Sequence, residues 1–96
     1  MKLVIAMSGK CAPSPKAGPH GRVDALASAL VDILSVAGHD VPESRCSVTA
    51  DAYEVEFVVD TENRGDVERL ARDFRSALIV VGHRVDHDHI TERAPS

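Results

Sequence analysis

The chain is poor in aromatic residues. It has no Trp, and its only rings besides histidine are Tyr53, Phe57 and Phe74. A surface that stacks nucleobases needs more rings than that. Cysteine is nearly as scarce. Cys11 and Cys46 fit no metal-binding or redox spacing, and their default state is a pair of reduced cytoplasmic thiols. The longest N-terminal apolar stretch, Leu3 to Met7, is too short for a membrane span or a signal segment. The expectation is therefore a cytoplasmic protein with no membrane contact. A single asparagine, few lysines and a bias to Ala, Val, Arg and Asp suit a GC-rich bacterial or phage genome.

What is present begins with charge. The net charge is −4, yet the first 23 residues carry Lys2, Lys10, Lys16 and Arg22 and no acid, and all fifteen acids follow. Such asymmetry marks a candidate interaction surface. A 96-residue chain is one domain of modest core, to which burial in an oligomer would add.

Periodicity predicts a first strand over Lys2–Met7 and a loop over residues 8–21, broken by Pro13, Pro15, Pro19, Gly9, Gly18 and Gly21. That loop is long for a compact domain, where about 4–6 residues are usual. Val23–Ala37 is a helix with Val23, Leu26, Ala27, Leu30, Ile33 and Leu34 on one side, and Gly38 stands where a C-cap would end it. A linker over 41–44 with Pro42 leads to a hairpin of Arg45–Ala50 and Tyr53–Asp60. Tyr53, Val55 and Phe57 face one way with Cys46 and Val48. Glu54, Glu56, Val58 and Asp60 face the other, beside Arg45, Ser47 and Thr49. The turn falls at Asp51-Ala52 or is slightly wider. Thr61–Arg75 is a second helix buried along Val67, Leu70, Ala71 and Phe74, and Ala77–Val85 is a last strand around Leu78-Ile79-Val80-Val81.

This order is βαββαβ. It resembles the ferredoxin-like superfold: an α+β sandwich with a four-stranded antiparallel sheet, order 4-1-3-2, and two helices on one face. One domain over 1–90 is expected, with a tail over 91–96. Within that pattern, Gly21-Arg22-Val23 through Gly38-His39-Asp40-Val41 resembles an ACT-type regulatory domain. The resemblance implies a small-ligand site for amino acids at the mouth of the first helix. An acylphosphatase-like reading would use Arg22, but the rest of that loop pattern is absent.

The basic loop is the leading candidate site. Lys10, Lys16, His20, Gly21 and Arg22 run into a helix N-terminus, where backbone N–H groups and the helix dipole favour an anion. The expected ligand is a small anion or the acidic surface of a protein partner. The spacing around Gly9-Lys10 is not that of a P-loop. Cys11 beside Lys10, with His20 as base, is the Cys-dependent enzyme alternative. Cys46, alternating with Val48, is expected in the core. If the last strand continues, His83, His87 and His89 share a face and could hold Zn2+. The open sheet face offers Arg45, Glu54, Glu56 and Val58 as a homodimer interface, and its carboxylates disfavour nucleic acid. The overall expectation is a non-enzymatic binding protein that self-associates.

Overall fold

The computed structural model describes residues 1–93, and residues 94–96 of the expected tail lie outside the described residues. The elements are β1 (Lys2–Lys10), a 3-10 turn (Gly18–Gly21), α1 (Val23–Val36), β2 (Asp40–Val48), β3 (Ala52–Asp60), α2 (Arg64–Val80) and β4 (His87–Arg93). One antiparallel sheet runs β2-β3-β1-β4, the expected order read from the other edge.

The core follows from periodicity. Leu3, Ile5 and Met7 of β1 and Tyr53, Val55, Phe57 and Val59 of β3 alternate onto the covered face. The helices meet them with Val23, Ala27, Leu30 and Leu34 from α1 and Val67, Ala71, Phe74 and Leu78 from α2. Burying each large apolar side chain stabilises the fold by about 1.5–3 kcal/mol. Phe57 and Phe74 add an edge-to-face pair with ring centres 5.8 Å apart. Gly38, at φ 92°, ends α1 as expected, a conformation that L side chains rarely adopt.

Three boundaries differ from the sequence reading, each for a physical reason. β1 continues through Ser8, Gly9 and Lys10, because their partners on β3 extend to Ala52. Strand pairing also reaches into the segment expected as a linker. β2 begins at Asp40 and absorbs Pro42 at a register shift between Asp40 and Glu43, which an edge strand tolerates. The hairpin turn, by contrast, takes the wider of the two expected forms, with Thr49 N–H donating to the Ala52 carbonyl. The third difference is the largest. Residues 77–80 are the end of α2, not a strand, because Leu78 extends the helical stripe of Val67, Ala71 and Phe74. The last strand is the polar segment His87–Arg93 instead. Thr91, Glu92 and Arg93, expected in the tail, pair with Val4, Leu3 and Lys2.

Cys46 also departs from expectation. It faces the helix side of β2 but is exposed, because β2 is an edge strand that α1 leaves largely uncovered. Among the described residues no helix is long and apolar enough to cross a membrane.

Candidate functional site

The basic segment is a built structure. From Cys11 it lies against two turns, the one between β2 and β3 and the one after α2. Cys11 N–H donates to the Asp51 carbonyl (3.1 Å), and Lys16 N–H donates to the Val81 carbonyl (3.3 Å). The turn after α2 is closed by His83 N–H on the Leu78 carbonyl at 2.9 Å.

His83 organises the loop. It is 4% exposed, and both of its ring nitrogens are used. Ala12 N–H donates to Nδ1 at 2.9 Å, so Nδ1 carries the lone pair. Nε2 therefore carries the proton and donates to the Gly21 carbonyl at 2.6 Å. One neutral imidazole thus clamps the start of the loop to its end, nine residues later in the chain. Tyr53 supports the ring edge-on at 6.1 Å and donates its own hydroxyl to the Arg84 carbonyl at 2.8 Å. Burial, first of several causes, pushes the Tyr53 phenol up to about 12, so it stays a donor.

Lys16 and His20 are exposed on this clamped frame, Lys10 is exposed at the end of β1 just before it, and among the described residues none of the three is in an ion pair. Gly21 is buried. Arg22 caps α1 from an extended conformation and pairs with Asp24 at 3.2 Å, which spends part of its charge. Cys11 is half-buried, and burial followed by Asp51 pushes its thiol up. That is the reverse of what a nucleophilic thiolate needs.

His83 is also separated from the other two histidines grouped with it. The strand does not continue through 83, so His83 does not share a face with His87 and His89, which are exposed on β4. Among the described residues no three His, Cys, Asp or Glu side chains stand together as a metal site.

On the open sheet face, Arg45 lies directly opposite Glu56 and Ser47 opposite Glu54. Val58 is on that face too, but only 3% of it is exposed, so it offers a partner little area.

A second buried histidine was not singled out from sequence. His39, just after Gly38, places Nδ1 2.7 Å from Thr61 Oγ1 and Nε2 2.6 Å from Asp66 Oδ2. The order hydroxyl, imidazole, carboxylate is that of a hydrolytic triad. Here Thr61 is buried and its oxygen already accepts from Asn63 N–H, so the group works as a clamp between the start of β2 and the start of α2. The signal available in sequence was Asn63 followed three residues later by Asp66, the pattern of a helix start. Asn63 Oδ1 accepts from Asp66 N–H at 3.1 Å.

This clamp sets an acid limb of stability. The His39 hydrogen bond, then Arg69, holds the Asp66 carboxyl below its ordinary value. A depressed folded pKa contributes stability that is present above the unfolded value and lost as pH falls through the folded one. Asp66→Asn is expected to flatten the fall in urea midpoint between about pH 5 and about pH 2. A parent-like slope in that variant would assign the acid limb to other groups.

The architecture defines the class: a ferredoxin-like α+β domain with a long, clamped connection between its first strand and first helix. No family model and no curated protein sequence matches the chain. Among solved structures it is similar to a formyltetrahydrofolate deformylase from Burkholderia mallei, with 20% identity and a TM-score of 0.59. The match covers 95% of this chain and 28% of that one, so the chain spans less than a third of the deformylase's length. At that identity the likeness is one of fold.

Proposed function

We propose that this is a non-enzymatic binding domain that takes an anion on the connection between β1 and α1. The anion is the phosphate or carboxylate of a small ligand, or an acidic patch on a protein partner. The supporting observation is the contrast within one segment: a buried neutral histidine holds the backbone, while Lys10, Lys16 and His20 stay exposed and free of ion pairs. A connection that only joined two elements would not need a buried polar clamp.

The ACT-type reading is the second form of the same proposal, since it uses the same mouth of α1 for an amino acid. It is supported by the occurrence of this fold as 28% of a longer chain in the deformylase, as expected of a module. Self-association through Arg45, Glu54 and Glu56 is a separate proposal. A monomer mass by light scattering at tens of micromolar would sink it.

The test of the site is thermal stability with inorganic phosphate, an acidic dipeptide and a panel of amino acids. A ligand at about 100 times its dissociation constant adds roughly 2.7 kcal/mol, which is many degrees for a domain of this size. The phosphate shift is expected to vanish in Lys10→Ala/Lys16→Ala. A shift from an amino acid that survives this double substitution would favour the ACT-type form. No shift with any of these ligands would overturn the small-ligand reading in both forms.

A further inference from the structure

The open face of the sheet carries an independent arrangement. In the register, Glu56, Ala6 and His89 stand in one row across β3, β1 and β4, and Glu54, Ser8 and His87 in the next. Directly opposed residues share a face, as do residues two apart on a strand. Two carboxylates therefore form one wall and two imidazoles the other, over a floor of a methyl group and a small hydroxyl. Together they line a cleft of about 170 Å3. The row beyond, Val58, Val4 and Thr91, is bulkier and bounds it at one end.

All four wall side chains are exposed, and among the described residues none is in an ion pair. Asp88, between the two histidines, belongs to the opposite face and pairs with Arg75 at 2.9 Å.

We infer that this cleft is a site for a divalent transition-metal ion, held by His87 and His89 from one side and by Glu54 or Glu56 from the other. Imidazole with carboxylate is the donor set that suits Zn2+. The walls are two strand spacings apart, about 9.6 Å, so each donor has to lean about 5 Å over the floor. Glutamate and histidine are long enough to do so, and Ala6 and Ser8 leave the space. As the side chains stand, no three donors meet. Closing the site takes rotation of exposed side chains only, while the register of three strands supplies the positioning. Two carboxylates also offset the charge of a dication. Arg45, opposite Glu56 on β2, and Lys10, two residues after Ser8 on β1, are cations on the same face that compete for that wall. His83 takes no part, because its nitrogens are committed to Ala12 and Gly21.

The experiment is calorimetric titration of the chelator-treated full chain with Zn2+ alone. One ion per chain is expected. His87→Ala/His89→Ala is expected to abolish binding. Glu54→Gln/Glu56→Gln should weaken it by no less than the roughly tenfold that losing an outer-shell partner costs. All four substitutions are of exposed side chains, and an unchanged metal-free melting temperature shows that each variant folds.

Three results would overturn the inference. The first is the absence of binding at millimolar Zn2+. The second is affinity unchanged in the glutamine variant, which leaves only a histidine pair on an edge strand. The third is half an ion per chain, which puts the donors on two copies.

Discussion

Gly9→Ala is expected to cost about 3–5 kcal/mol, a large share of the roughly 5–15 kcal/mol that holds a domain together. A Cβ at position 9 would lie 1.9 Å from the Arg84 carbonyl oxygen and 2.8 Å from its carbon. Both atoms are backbone, so no side chain can swing aside. The strand end or the turn after α2 has to move, and three backbone bonds join them. Lys10 N–H donates to Arg84 (3.2 Å), Arg84 N–H to Lys10 (2.9 Å) and Asp86 N–H to Ser8 (2.9 Å). Losing them at about 1 kcal/mol each accounts for most of the cost before strain is added. The melting temperature should fall by more than about 12 °C. Gly65→Ala is the control. Its nearest atom is Asn63 Oδ1 at 3.7 Å, and alanine in a helix is favourable by up to about 1 kcal/mol. If both variants melt like the parent, the close approach of β1 to the turn is wrong.

His83→Ala is the second large effect, and it bears on function. It strands a part-buried N–H at Ala12 and a buried carbonyl at Gly21; a buried group without a partner costs about 1–3 kcal/mol, and the part-buried one less. It also removes the ring that Tyr53 packs against edge-on. A loss of about 3 kcal/mol is expected, with a local signature: amides of the segment 11–22 exchange faster while those of β1 and β3 keep their protection. The phosphate response proposed for Lys10 and Lys16 should disappear in this variant although His83 touches no solvent-facing ligand. A clamp acts by placing other groups. His83→Gln, which can offer one acceptor and one donor, is expected to recover part of both losses. Retention of phosphate binding in His83→Ala with exchange rates unchanged would refute the clamp.

The legible part of the fold was the part with clean periodicity. In α1, Val23, Ala27, Leu30 and Leu34 recur at helical spacing, and in β3 Tyr53, Val55, Phe57 and Val59 alternate. Both patterns survive because each element buries one face against the same core. Topology followed from handedness once the order of elements was read. The misreading at residues 77–85 arose because Leu78-Ile79-Val80-Val81 is apolar and, from Ile79 on, β-branched, which local preference assigns to a strand. Position decided otherwise: Leu78 falls in phase with Phe74 and Ala71, so continuing the helix buries it, while Ile79 and Val80 are left exposed. The true last strand is polar, because one of its faces is open. On its other face Asp88 pairs with Arg75 and Glu92 approaches Arg64.

Of the candidate sites, residue type was visible in sequence and company was not. Lys10, Lys16 and His20 stand out as charge in a segment without acids. Glu54 with Glu56 and His87 with His89 stand out as alternating pairs. That β1 lies between those two pairs, with Ala6 and Ser8 beneath, depends on pairings between residues roughly 50 to 80 positions apart. The amino-acid sequence alone determined the element types where period was strong, the strand order through chirality, and the charge of the long connection. Tertiary structure alone decided where α2 stops, which histidines are buried and which groups face one another. Those outcomes turn on burial and on long-range backbone pairing, which no local window of sequence contains.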